Sequence, residues 1–323
     1  MPSPAVRRGR LPATPARLGG YNRGGGSRVP DTVGFIGLGA MGKPMALNLR
    51  KHDIAVVVHN RSHAAERALA EAGASIATTP AAVAAACDVV LLMLPDAPDV
   101  EAVLEGPSGL LAGLQPGTVV VDSSTIAPSA AIRFAGLVAE RGGSYLDAPV
   151  SGGEIGAIDG TLTFMVGGDA EALARVAPLL AKMGKAERIV HVGPSGAGQI
   201  CKACNQLVIG GTMVAVAEAL ALAGKAGVDG AKVRQALLGG FASSRVLEVH
   251  GERMLTGNYK PGFKATLYKK DLRIVAEALA EYGVAAPETA LVQQLVHAHL
   301  AAGGGDDDYS GIAQVIFRLA RLD

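Results

Sequence analysis

Tryptophan is absent from this 323-residue chain, and cysteine is scarce: Cys87, Cys201 and Cys204 are the three. Three thiols without regular spacing exclude a disulfide framework and suit a reducing compartment, for which the cytoplasm is the default. A long hydrophobic run is missing too. The strongest, Leu207 to Ala217, is closed by Glu218 and falls short of the roughly 20 residues that span a bilayer, so no membrane segment is expected. The first thirty residues hold six arginines and no acid among many glycines and prolines, which cannot build a packed core. Residues 1–30 are expected to be a disordered basic tail, with the true start near Val29. A transit peptide would need the amphipathic helix that these glycines and prolines spoil; a nucleic-acid arm is the other reading. Taking those six cations from the total of 30 leaves 24 against 29 acids. The body is therefore mildly acidic and is not expected to bind nucleic acid.

With 49% hydrophobic residues the chain can bury a substantial core. From Thr32 to about Gly193, short β-branched runs alternate with helical stretches: "TVGFIG", "AVVVHN", "DVVLLML", "GTVVVDSS", "SYLDAPV", "TLTFMVGG" and "RIVHVG". Near-continuous apolar strands between helices mark a parallel sheet covered on both faces, a Rossmann-type doubly wound α/β domain over residues 31–194. After Pro194 the pattern turns to Ala- and Leu-rich helical segments, an all-α domain over residues 195–323. Its first helix is predicted from about Gly198 to Gly227, roughly 45 Å at ~1.5 Å per residue. Between Leu207 and Leu222 that helix is apolar nearly all round, so later helices or another subunit must cover it. A homodimer or homotetramer through the helical domain is expected. No internal repeat is present.

"VGFIGLGAMGKPMALNLRK" places Gly37, Gly39 and Gly42 in G-x-G-x-x-G spacing, with Leu38, Ala40 and Met41 between them, after an apolar strand and before a helix. The glycines serve a tight turn, close backbone approach to a pyrophosphate, and close helix–strand packing, with the helix N-terminus facing the anion. At the end of the second strand an NAD-selective site would carry Asp or Glu, but this chain has Asn60, Arg61 and Ser62. No carboxylate there repels a 2′-phosphate; Arg61 can fork onto it while Asn60 and Ser62 donate hydrogen bonds. NADP(H) is the expected cofactor, with NAD(H) possible. His59 and His63 read as surface residues. Two further turns, "MLPD" with Pro95 and "DSSTIAP" with Thr125, follow strands at the edge where such folds bind ligands.

In order, "FIGLGAMGKPMALNL", "DSSTIAPS", "DAPVSGGEIGAIDGTLTFMVGG", "GAGQICKACNQ", "PGFKATLYKKDL" and "GGGDDDYSGI" resemble the motif set of the β-hydroxyacid dehydrogenases. That family includes 3-hydroxyisobutyrate dehydrogenases and tartronate, glyoxylate and succinic semialdehyde reductases. The resemblance spans about residues 32 to 315. It implies that Lys202, in G-x-G-x-x-x-K-x-x-N formed with Gly196, Gly198 and Asn205, is the catalytic lysine, and that Ser151, Gly152 and Gly153 hold a substrate carboxylate. It also implies cofactor contacts for Leu94, Pro95 and Thr125, and for Lys270 reaching over from the helical domain; Asp99 is placed beside the cofactor as well.

The residues themselves suit this chemistry. Hydride transfer to or from a hydroxy acid needs a proton moved at the reacting oxygen. Apolar neighbours would desolvate Lys202 and lower its pKa, and Lys270, if nearby, would lower it further. Lys202 and Asn205 stand three apart and share a helical face, so Asn205 can hold the lysine or the substrate. Cys201 and Cys204 lie off that face with no partners for a metal set, and read as small core residues; no metal is expected. "PVSGGEIGA" offers consecutive backbone N–H groups, a nest for a carboxylate. Arg245 reads as a surface ion pair before a substrate contact, and Phe241 and Ser244 are candidates to finish the pocket. The expected activity is an NADP(H)-preferring oxidoreductase on a short hydroxy acid or its semialdehyde. The rivals are an imine reductase, which usually lacks the lysine, and a non-catalytic NADP-binding or sensing protein, which needs neither Lys202 nor the S-G-G turn.

Overall fold

The computed structural model describes residues 32–322; the expected tail, residues 1–30, lies outside them. Among the described residues one sheet contains β1 (Thr32–Ile36), β2 (Ala55–His59), β3 (Ser75–Ile76), β4 (Val89–Leu92), β5 (Val119–Asp122), β6 (Ser144–Asp147), β7 (Val150–Ser151), β8 (Leu162–Gly167) and β9 (Gly184–Gly193). The first six run parallel in the order β3-β2-β1-β4-β5-β6. This order reverses between β1 and β4, and such a switch point opens a crevice at the carboxyl ends of the strands.

The rest of the sheet is not parallel throughout, which corrects the expectation. β8 runs antiparallel to β6 and β7, and β9 returns parallel to β8. The link from β7 to β8 holds only the short helix Gly153–Asp159, less chain than a crossover between parallel strands needs. β6 and β7 keep a single antiparallel register against β8; the break between them falls at Ala148 and Pro149, and proline has no N–H to donate. The Pro149 carbonyl still accepts the N–H of Met165 at 3.0 Å. β3 went unforeseen because two exposed edge residues carry no apolar run.

Alternation along the central strands divides the core. Val33, Phe35, Val89 and Leu91 pack into a cluster on one face with Met45 and Leu49, while Ile36, Val90 and Leu92 join Leu104 and Phe134 on the other. The central strands β1, β4 and β5 are thus buried on both sides, the condition that near-continuous apolar runs satisfy, whereas the edge strands β3 and β9 are largely exposed.

The long helix Ala197–Lys225, about 44 Å at ~1.5 Å per residue, leads into the helical half. It packs through Met213, Ala217 and Leu220 against Leu247, Tyr268, Leu272, Val296 and Ile312. By length and composition alone, contrary to the reading of its sequence, it would pass for a membrane span: its best 18-residue window has a mean hydropathy of 1.9. Half of that window is buried by its neighbours, and the helix also buries the polar Gln199, Lys202 and Gln206. Val208 and Leu222 remain exposed on its outer side. The thiols also depart from expectation: Cys204 is exposed and Cys201 half-buried, so neither is a core residue.

Candidate active site

The loop after β1 shows three different demands for glycine. Gly37 has φ +95°, and a Cβ there would collide with the Met93 carbonyl that closes β4. A Cβ on Gly42, at the start of the helix Gly42–Lys51, would strike the Gly37 carbonyl. On Gly39 it would meet nothing within 4 Å, so that backbone faces open space. Leu38 is buried, Ala40 is exposed and Met41 is half-buried at the helix cap. No side chain caps this helix and no acid lies in its first turn, so its N-terminus is available to an anion. The loop therefore fits a dinucleotide pyrophosphate.

At the end of β2 the structure assigns different work to the three candidates. Asn60 accepts the Leu38 N–H on its amide oxygen at 2.9 Å and donates to Ser62, so it ties the glycine loop rather than standing free. Arg61 is 94% exposed, with Asp99 3.9 Å away as its nearest carboxylate. Ser62 is exposed at the start of the helix His63–Glu71. His63 is exposed and bonded to Glu66, while His59 is half-buried, with Nδ1 3.0 Å from the Ala77 carbonyl.

The turns after β4 and β5 are stitched together. The Leu94 N–H donates to Ser124 Oγ at 2.9 Å, and the Ser124 N–H donates to Asp122 at 2.9 Å. Lys270, on the helix Ala265–Glu281, donates to the carbonyls of Pro95 at 3.0 Å and Thr125 at 2.6 Å. One amine from the helical half thus clasps both turns. Its other neighbour is Asp271, at 3.0 Å.

Lys202 lies on the second turn of the long helix, 8% exposed, and donates from Nζ to the Val150 carbonyl at 2.9 Å. That carbonyl precedes Ser151, Gly152 and Gly153, where φ values of +137° and +63° at the two glycines make a sharp turn that only glycine adopts readily. The lysine and the proposed carboxylate nest are therefore adjacent. Burial lowers the Lys202 pKa; the Asp271 carboxylate opposes this and Lys270 adds to it, so the two lysines do stand near each other.

Asn205 does not bond Lys202. Its amide donates to Gln206 at 2.8 Å, and Gln206 in turn donates to the buried carboxylate of Asp271. Side chains three apart share a helical face, yet the two bend to different partners. Phe241 is fully exposed in the single chain, and Ser244 caps the helix Arg245–Thr256. Arg245 pairs with Glu248 at 2.7 Å on the surface, as expected.

Asp147, Gln199, Gln206 and Asp271 were missed as site-builders although all lie inside the quoted motifs. Apart from the bond between the neighbours Asn205 and Gln206, their partners are between 49 and 75 residues away in sequence, and no local pattern announces such a pairing. A buried Asp at a strand end was the one available signal.

Two family models cover the described chain. The NAD binding domain of 6-phosphogluconate dehydrogenase matches residues 32–193, and the NAD-binding domain of NADP-dependent 3-hydroxyisobutyrate dehydrogenase matches residues 196–316. The chain is 46% identical over 288 residues to 2-hydroxy-3-oxopropionate reductase of Escherichia coli, covering 89% of this chain and 98% of that one. It is 39% identical to an NAD-dependent L-serine dehydrogenase of Pseudomonas aeruginosa, covering 88% and 97%. Among solved structures, 3-hydroxyisobutyrate dehydrogenase of Mycobacterium tuberculosis with L-serine superposes with a TM-score of 0.81 at 33% identity, over 88% of this chain and 99% of that one. These matches, over nearly all of the described residues, show that the chain belongs to the β-hydroxyacid dehydrogenase family of NAD(P)-dependent oxidoreductases.

Proposed function

We propose that the protein interconverts a short 3-hydroxy carboxylate and the corresponding semialdehyde, a 3-oxo carboxylate such as 2-hydroxy-3-oxopropionate, with Lys202 as general acid/base. The observation that carries this reading is the amine of Lys202, buried and held at the Ser151–Gly153 turn. A carboxylate captured by the N–H groups of that turn would bring its neighbouring carbon and oxygen within reach of Nζ. In reduction Lys202 gives its proton to the new alkoxide oxygen; in oxidation the neutral amine takes the hydroxyl proton. The dinucleotide, when bound, supplies or accepts the hydride. Gly37, Gly39 and Gly42 would hold its pyrophosphate, and Leu94, tied to Ser124, with Pro95 and Thr125, clasped by Lys270, would line it. Asn205 acts through Gln206 and Asp271.

NADP(H) is the preferred cofactor on this reading, supported by Asn60, Arg61 and Ser62 standing in place of an acidic residue after β2 and by the exposed guanidinium of Arg61. Asp99 beside Arg61 and the NAD-dependent relative support NAD(H) as a usable second cofactor. Among substrates, 2-hydroxy-3-oxopropionate comes first because the relative named for it shares 46% identity. A homodimer or homotetramer is supported by Val208 and Leu222, apolar and exposed on the long helix, and the reducing cytoplasm by three unpaired thiols. A panel of small aldehyde acids and hydroxy acids, followed by nicotinamide absorbance with each cofactor, tests the reading. Lys202→Ala should lower kcat by about 10²–10⁴-fold while dinucleotide affinity stays near normal. Near-normal turnover would remove the mechanism.

A further inference from the structure

The segment Asp147–Val150 touches the long helix twice. At its far end the Val150 carbonyl accepts Lys202 Nζ; at its near end the Asp147 carboxylate receives the start of the same helix. Asp147 is fully buried. One carboxylate oxygen accepts the N–H of Gly196 at 2.8 Å and the other that of Gln199 at 2.9 Å, so a single side chain satisfies two of the donors that a helix start leaves without partners. The fit leaves no slack. A Cβ on Gly167 would lie 2.6 Å from the carboxylate, and one on Gly198 would collide with the carbonyls of Asp147 and Met165. Gln199 extends the anchor to the next strand end, donating to the Ser124 carbonyl at 2.8 Å and accepting the Ile126 N–H at 3.2 Å, on either side of Thr125.

We infer that Asp147 is a positioning residue for the reaction: its carboxylate fixes the first turn of the long helix against the end of β6, and so sets where the Lys202 amine meets the Ser151–Gly153 turn. The inference rests on the acid/base reading of Lys202. Lys202 follows Gln199 by one helical turn, so a shift at the cap is carried directly to the amine. The groups that face Asp147 are Asp122, its neighbour in register on β5, Tyr145 on its own strand, and from the helix the two N–H groups. Burial pushes the Asp147 carboxyl up to about 6; the N–H bonds from Gly196 and Gln199 oppose this, and Asp122 adds to the rise. Above that value both oxygens accept. Below it one oxygen carries a proton, and a cap bond is lost.

The test is kcat against pH from 5 to 8, at saturating dinucleotide, for wild type, Asp147→Asn and Lys202→Ala, with dinucleotide affinity read from nicotinamide emission. Asparagine keeps the shape but turns an N–H donor against a backbone N–H. The expected result, for reduction, is at least a tenfold lower kcat at pH 7.5, dinucleotide affinity within twofold of wild type, and loss of the acid limb expected of wild type near pH 6. An unchanged kcat and profile would overturn the inference, as would dinucleotide affinity falling in step with kcat, the mark of general damage. If Asp147→Asn does not fold, the wild-type amide resonances of Gly196 and Gln199 decide. Their titrating together with kcat near pH 6 supports the inference; amides that stay constant, or that titrate while kcat does not, overturn it. A Lys202→Ala variant that keeps its turnover refutes the acid/base reading instead, whereas an inactive Lys202→Ala beside a normal Asp147→Asn refutes only the positioning role.

Discussion

The Lys202 amine stands 2.9 Å from the carbonyl oxygen of Val150, and the next three residues of that strand end form the glycine turn. Burial holds its pKa below that of a free lysine, with Asp271 opposing and Lys270 assisting. Reduction uses the ammonium, so reductive kcat should fall as pH rises through that lowered value. Oxidation uses the amine and should gain activity through the same value. Profiles in both directions check this; a limb at the ordinary lysine value would contradict it.

Lys270 clasps the Pro95 and Thr125 carbonyls and also depresses Lys202. Lys270→Met should therefore do two things at once. The KM for the dinucleotide should rise about tenfold, the worth of a lost charged hydrogen bond. The pH limb assigned to Lys202 should move upward. Steady-state kinetics across pH separates the two effects.

Gly39 and Gly42 predict opposite outcomes for the same added methyl. Gly39→Ala meets no protein atom, so stability should change by less than about 0.5 kcal/mol while dinucleotide affinity drops. Gly42→Ala drives Cβ into the Gly37 carbonyl and should destabilise the fold by about 3 kcal/mol or more. Thermal melts paired with nicotinamide emission distinguish them.

Arg61 is exposed and has Asp99 as a weak partner at 3.9 Å. Arg61→Ala should raise KM for NADPH about tenfold or more and leave NADH nearly unchanged. Asp99→Asn should improve NADPH. Equal catalytic efficiency of the wild type with both cofactors would overturn the preference.

Asp308 ties the C-terminal segment to the helical half. Burial alone would raise its carboxyl, but the His250 ring 3.5 Å away and bonds from Ser310 and the Gly262 N–H pull it down to about 2. A depressed carboxylate stabilises the fold above its unfolded value of about 3.9, and that contribution is lost as pH falls toward 2. Asp308→Asn should cost about 2 kcal/mol at pH 7, with the gap to wild type closing near pH 2. Urea melts at both pH values measure it.

The sequence by itself determined the strands other than β3, the glycine loop and the candidate lysine, because each is written in a local code: apolar runs bounded by turns, fixed glycine spacing, one cation in an apolar helix. Tertiary structure alone decided the rest. It turned β8 antiparallel, sent Asn205 to Gln206 instead of to Lys202, tied Asn60 to Leu38, and left Cys204 and Phe241 on the surface. It also brought Asp147 to the start of the long helix and Lys270 across to Pro95 and Thr125. The contacts of Asp147 and Lys270 join residues 49 to 175 positions apart, and a hydrogen bond is set by where two atoms meet in space, which a residue's own neighbours in the chain do not specify.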